Sequence, residues 1–368
     1  MSETIRIAEL ANLITQEIGD FLKWTIHPEN DLDFPCLMKP QHFVGAAETA
    51  DKTHPTDLVI FYDDPYENKR VFLNTDLKSY ASDSIGYKVV KEWLISITKG
   101  TVCSLASAEW KQRYGIEGSY DIRGLLFVYN HDGRFDKPFY SFIHDYPNPP
   151  HVGPGRAPAR FHLKDLNVPA NIKIHIIEPL LIDSILSIKH DLNVLRTEQK
   201  VPRSDAYAPI SFFYPNRQRF KSRITPQECP ATIELISGPF FIMNYDNYTD
   251  FEPNPLEPAN PTIIQKSRGN IIYYKESGST VDEFIYLIET LMMYELISEN
   301  CETRIRHCAR DKASTAMQNF HAAIEKYCVM WDYSDSMKNI FNRIEFAEVT
   351  IIQKIFCNQK IDRSPVQE

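Results

Sequence analysis

Asp57-Leu-Val-Ile-Phe-Tyr62, a polar break Asp63-Asp-Pro-Tyr-Glu-Asn-Lys69, and then Val71-Phe-Leu-Asn-Thr-Asp-Leu-Lys78 form the stretch on which the reading of this 368-residue chain turns. Both flanks are rich in β-branched and aromatic residues, and the break carries proline and turn-forming carboxylates, so the segment predicts a hairpin of strands 57–62 and 70–78. Folding about the middle of the break sets Asp57 opposite Thr75 or Asp76. Side chains alternate along a strand, so Asp76 and Lys78 share one face while Val71, Leu73, Thr75 and Leu77 take the other. One patch of sheet then collects two carboxylates and an ammonium. Neighbouring carboxylates repel, and a divalent cation is the simplest relief. Mg2+ (or Mn2+) suits such a place, because it takes oxygen ligands and is commonly held by one or two carboxylates plus a substrate phosphate. A bound ion makes water a better nucleophile and offsets charge on phosphate. A lysine alongside can orient the water, take its proton or stabilise the transition state. The bland alternative is an ordinary cross-strand ion pair on a surface hairpin.

Toward the N-terminus, residues 5–22 have helical periodicity, with Leu10, Leu13, Ile14, Ile18 and Phe21 as the apolar stripe. Glu17 falls in the middle of that stripe. A glutamate there must reach a cation, a hydrogen-bond partner or water at the core's edge. A metal site beneath the helix would supply the cation.

Toward the C-terminus, residues 84–98 read as a helix and Ile122–Tyr129 as a strand. Proline-rich stretches at 146–158 and 250–261 cannot be regular elements, and the first is the expected domain boundary. Beyond it, Ile172–Ile177 reads as a strand feeding a helix at 180–195. Ala231–Tyr245 contains strand-like runs. Asn270–Tyr274 precedes a helix at 281–297 that is apolar almost all round, as in a core or a subunit interface. Residues 301–357 read as mostly helical. The mixture is α/β or α+β.

Net charge is −9, with 43% hydrophobic and 24% charged residues. A chain that only coats nucleic acid is usually basic, so tight passive DNA binding is disfavoured. The apolar runs are too short to span a bilayer, and no secretory signal precedes the first helix. Seven scattered cysteines without a CxxC pair suggest reduced thiols and a cytoplasmic location. Neither a GxxxxGK[ST] loop nor a GxSxG elbow is present. His131-Asp132, His144-Asp145 and His190-Asp191 lack the further histidines a phosphohydrolase needs. The Cys301, His307, Cys308, His321 and Cys328 spacing matches no compact zinc module. Arg217, Arg219, Lys221 and Arg223, interleaved with Phe220 and following Phe212, Phe213 and Tyr214, suit stacking on bases and pairing with phosphates. Arg304, Arg306, Arg310 and Lys312 form a second basic group, which reads as a solvated helix face.

The order Glu17, then Pro55-Thr-Asp57, then Asp76-Leu-Lys78 resembles the PD-(D/E)XK nuclease superfamily, the fold of many restriction-type endonucleases. The resemblance covers about a third of the chain. It implies a restriction-endonuclease-like αβββαβ core at 1–145, followed by an α+β accessory region at 159–368 for substrate or partner binding. It further implies Asp57, Asp76 and the Leu77 carbonyl as metal ligands, Lys78 as the catalytic lysine and Glu17 as the helix-borne acid. The family often adds a polar residue on the helix after the lysine strand. Here Lys88 and Lys91 lie beside the stripe of Ile85, Val89 and Trp93, and Lys88 is the choice. Two departures stand out: Thr56 separates the proline from Asp57, and the last acid is Asp where Glu is commoner. The expected activity is Mg2+-dependent phosphodiester hydrolysis, most plausibly of DNA, with a restriction or antiphage defence role. A homodimer or a partner protein subunit would be compatible. The rival from another class is a non-catalytic nuclease-fold scaffold or binding subunit, which would bind no metal.

Overall fold

Helix α1 (Glu3–Leu22) opens the first of the two units into which the chain divides. That unit comprises Met1–Asp64, Lys69–Asp183 and Gln353–Glu368, and the second comprises Pro65–Asn68 and Ser184–Ile352. The computed structural model describes residues 3–43, 52–146, 159–203, 209–215, 225, 228–252 and 262–355.

Ala11, Ile14, Thr15, Ile18 and Leu22 form the buried face of α1, spaced three or four residues apart as one helical stripe requires. Leu13, expected on that stripe, is 57% exposed, because the buried face is centred on Ile14 and Ile18. The chain continues through β1 (Thr25–Ile26), β2 (Leu58–Asp63), β3 (Arg70–Tyr80), α2 (Tyr87–Ala106), β4 (Tyr120–Asn130), β5 (Ile174–Ile177) and α3 (Pro179–Thr197). The five strands form one sheet in the order β1-β2-β3-β4-β5.

The first three strands are antiparallel, with Leu58 opposite Thr75 and Asp63 opposite Arg70. Extending that register by one residue sets Asp57 across from Asp76, one of the two pairings the hairpin allowed. Arg70 Nε donates to Asp63 at 2.8 Å and locks the turn end. Helix α2 then crosses over, so that β4 returns parallel to β3, as a βαβ unit demands. Its N-cap is Gly86, and its buried stripe is Val90, Trp93, Leu94 and Ile97, so it starts later than expected and leaves Val89 only half-buried. At Gly124 a Cβ would lie 2.4 Å from Thr101 Oγ1 and 2.6 Å from Ile174 Cδ1, so this glycine lets α2 approach β4 closely. Residues 122–130 of β4 are all buried, as expected for a parallel strand covered on both faces. Strand β5 joins the same sheet in parallel from beyond the proline-rich stretch, so the sheet continues past residue 145.

The second unit holds another five-stranded sheet. Its strands are β6 (Ser211–Phe212), β7 (Phe240–Tyr245), β10 (Gly269–Tyr274), β11 (Glu302–His307) and β12 (Glu345–Glu348), and they run in the order β12-β11-β10-β7-β6. A two-stranded ribbon pairs β8 (Tyr248–Glu252) with β9 (Thr262–Lys266). Helix α4 (Val281–Met293), α5 (Ala316–Met330) and α6 (Asp335–Asn342) supply Phe284, Leu287, Leu291, Phe320 and Phe341 to the core. A reciprocal cap between Thr280 and Glu283 starts α4.

Two expectations for this region are corrected. Residues 231–245 include a helical turn, Ile233–Ser237, capped by the Thr232 hydroxyl, before the strand begins. Residues 301–357 are not mostly helical, since Glu302–His307 and Glu345–Glu348 are parallel neighbouring strands. Of the basic residues that looked like a solvated helix face, Arg304 and Arg306 are instead buried on β11, whereas Arg310 beyond the strand is exposed. Arg306 donates to both oxygens of Asp191 at 2.5 and 3.0 Å, and Arg304 meets Glu345 at 3.1 Å and the Tyr245 hydroxyl at 2.7 Å. Among the described residues no helix is long and apolar enough to cross a membrane.

Candidate active site

Where β2 ends at Leu58, β3 runs on past it, so residues 76–80 have no strand partner on that side. The backbone groups left open are answered by a side chain: the Leu77 N–H donates to Asp57 Oδ2 at 2.6 Å. The N–H and C=O of one strand residue leave on the same side, so the Leu77 carbonyl opens toward Asp57 as well. Beneath them, the buried Thr56 hydroxyl donates to Asn74 Oδ1 at 3.2 Å and accepts from the Trp110 indole at 3.3 Å, which fixes the entry into β2.

Asp76 is 5% exposed and forms an ion pair with Lys78. Its Oδ1 is fully enclosed and is the oxygen that meets Lys78 Nζ. Burial pushes the Asp57 carboxyl up to about 6, and the Asp76 charge beside it adds to the rise, against the pull of the Leu77 N–H and Lys78. A half-buried carboxyl raised by burial and by a neighbouring carboxylate is the electrostatic mark of a cation site. The donor set fits a hard divalent ion: carboxylate oxygens and a strand carbonyl opening the same way.

Asp57, Leu77 and Lys78 line a cavity of about 390 Å3, together with Asp31, Ser79 and Tyr80 and with Ala8, Ala11 and Asn12 of α1. Two alanines at the helix wall leave the space open. Asp31 is the residue that sequence reasoning missed. Its backbone is left-handed (φ 52°), and its N–H donates to the Asp57 carbonyl at 3.0 Å, which lays residues 31–32 along 56–57. The only signal for it was a polar turn, Glu29-Asn-Asp-Leu-Asp33, no different from other polar turns.

Asp57, Asp76, Leu77 and Lys78 are thus brought together. Glu17 forms an ion pair with Lys354 and is not among the cavity-lining residues. It follows Ala8 by nine residues, which at about 100° per residue turns it to the opposite side of α1. The cation demanded by a half-buried glutamate is therefore an ammonium from the C-terminal segment of the same unit. Lys88 lies in the first turn of α2, is exposed, and does not line the cavity. Arg217, Arg219, Lys221 and Arg223 lie outside the described residues.

The N-terminal part of the chain is similar to the PD-(D/E)XK nuclease superfamily. In particular, residues 1–180 match the family described as the GAPS4 protein PD-(D/E)XK nuclease domain. No curated protein and no solved structure matches the chain.

Proposed function

We propose that the chain is a Mg2+-dependent (or Mn2+-dependent) endonuclease of DNA, acting in restriction or antiphage defence, with α1, β1–β3, α2 and β4 as its αβββαβ core. The observation that carries this reading is that Asp57, Leu77 and Lys78 line one cavity, with the buried Asp76 behind them against Lys78 and Asp57, and with Asp57 held up at about 6. In this reading Asp57, Asp76 and the Leu77 carbonyl would hold the cation. When bound, the cation would lower the pKa of water and offset charge on the scissile phosphate. Lys78, held at the cavity wall by Asp76, is placed to donate hydrogen bonds to the attacking water and to a phosphate oxygen. The Leu77 N–H fixes the rotamer of Asp57, so one of its oxygens is committed to the backbone and the other remains for the cation. Asp31 faces the same space and can accept a hydrogen bond from water there. Arg217, Arg219, Lys221 and Arg223 are proposed to bind phosphates outside the core. The likeness to the nuclease family favours nucleic acid as substrate, and a homodimer would suit cutting both strands of a duplex.

The direct test is incubation of the purified chain with supercoiled plasmid and Mg2+ or Mn2+. Nicking or linearisation is expected, falling by about a hundredfold or more in Asp76→Ala and in Lys78→Ala. Cleavage unchanged in both variants would show that the site is wrong. No cleavage, together with no Mn2+ binding that depends on Asp57, would move the chain to the scaffold class.

A further inference from the structure

The excursion between β1 and β2 carries a second convergence of side chains, none of which lines the cavity described above. Residues Phe34–Pro35 pair antiparallel with Thr53–His54, Phe34 standing opposite His54. Cys36 follows the first of these strands, and its N–H donates to the Lys52 carbonyl at 2.8 Å. His42 ends the helical turn Lys39–His42, whose last carbonyl accepts from Lys99 Nζ at 2.6 Å. Cys103 comes from the last turns of α2. The two thiols and two imidazoles point at one another, and their four donor atoms all lie within 4.8 Å.

The individual separations decide what this cluster is built for. Cys36 Sγ and Cys103 Sγ are 3.8 Å apart, and His42 Nδ1 lies 3.4 and 3.5 Å from them. His42 Nδ1 and His54 Nε2 are 3.2 Å apart. A tetrahedral zinc with ordinary bond lengths has S–S edges of about 3.8 Å, S–N edges of about 3.6 Å and N–N edges of about 3.3 Å. These four separations match edges of that tetrahedron to within a few tenths of an ångström, and the remaining two, from His54 to the sulfurs, are within 4.8 Å. Cys36, His54 and Cys103 are 3%, 4% and 0% exposed. Phe34 and Phe43 pack on the His54 ring, both with centroids at 5.6 Å. Four protein donors with aromatic walls make a closed site, which is the structural class, and two thiolates with two imidazoles select zinc over a hard cation.

We propose that Cys36, His42, His54 and Cys103 form a structural zinc site that fastens the 33–54 excursion to α2. Binding releases the two thiol protons to solvent and involves no electron transfer. Asp31 lies just before this excursion and Asp57 just after it, so the zinc holds one wall of the acidic cavity in place. This assignment stands whether or not that cavity cleaves nucleic acid.

The test is the metal content of the untagged full-length chain, purified without chelator or added metal and read by plasma mass spectrometry. One zinc per chain is expected, unchanged in Asp57→Ala and lost in Cys36→Ser and in Cys103→Ser. Because a ligand variant could fail to fold, the decisive arm uses the unaltered protein with cobalt in place of zinc. Intense visible bands of tetrahedral cobalt and a near-ultraviolet thiolate-to-cobalt transition are expected. A folded wild-type chain that contains no zinc, or that binds cobalt without a thiolate transition, would mean that the four side chains are only a hydrogen-bonded knot, and the proposal would be overturned.

Discussion

Replacing Asp57 by Asn is expected to stabilise the metal-free protein while removing its response to metal. The folded protein lifts the Asp57 carboxyl from its usual 3.8 to about 6, chiefly through burial and secondly through Asp76. At ~1.4 kcal/mol per pH unit, keeping this group ionised at pH 8 costs the fold about 3 kcal/mol. Asn retains an oxygen for the Leu77 N–H but is itself desolvated and no longer attracts Lys78, so about half should be recovered, roughly 1–2 kcal/mol. For a unit of this size that is a rise in thermal midpoint of about 3–6 °C. The sign with pH follows from proton affinity. The folded state binds the Asp57 proton more tightly than the unfolded state, so the wild type gains stability from this group as pH falls through 6 toward 4. The advantage of the variant therefore closes over that window and reverses near pH 4, where the wild type has regained more than the roughly 1–2 kcal/mol that the variant gained. Saturating Mn2+ should reverse the order at pH 8, since ligand at about a hundred times its dissociation constant adds roughly 2.7 kcal/mol to the wild type alone. Differential scanning calorimetry in chelator and in Mn2+, at pH 8 and pH 4.5, checks all three statements. A variant less stable than wild type at pH 8 in chelator, or one whose midpoint rises equally with Mn2+, would refute the reasoning.

Glu17→Gln should cost no more than about 1 kcal/mol, the worth of a partly exposed ion pair, and should leave Mn2+ affinity unchanged by titration calorimetry; lost affinity would return Glu17 to the metal centre. Asp191→Ala strands the Arg306 guanidinium in the second unit's sheet and should lower urea stability by about 3–5 kcal/mol, whereas a change under 1 kcal/mol would mean that water replaces the carboxylate. Changing Arg217, Arg219, Lys221 and Arg223 together to Ala should weaken DNA binding irrespective of sequence and flatten the slope of log affinity against log salt by up to about 3–4. An unchanged slope by fluorescence anisotropy would take that segment out of the interface.

What could be read from the sequence was whatever depends on short-range periodicity. Strand alternation and a single proline-bearing turn are local, so the placing of Asp57 opposite Thr75 or Asp76 and the shared face of Asp76 and Lys78 followed from the hairpin's own residues, and the register of Leu58 with Thr75 then favours Asp76. Contacts made over long separations were not legible. Asp31 reaches the cavity through a left-handed backbone position that nothing nearby announces. The Cys36-x5-His42-x11-His54 spacing finds its fourth member only on a helix forty-nine residues later. Arg304 and Arg306 read as solvated because arginine usually is, yet partners at Glu345 and Asp191 make their burial tolerable.

Glu17 shows where the two kinds of inference part. Helical periodicity established that a carboxylate in the middle of an apolar stripe requires a cation, and the structure supplies one. That cation is Lys354, 337 residues away. Periodicity thus fixes which group must be satisfied and says nothing of what satisfies it. Because an ammonium already answers Glu17, the proposed cation would rest on Asp57, Asp76 and the Leu77 carbonyl, with Asp31 across the space. A hard divalent ion with so few protein oxygens must fill the rest of its shell from water and phosphate, which is the condition a phosphodiester hydrolase needs. Substitutions at Asp57 should therefore move metal affinity and cleavage together, and substitutions at Glu17 should move neither.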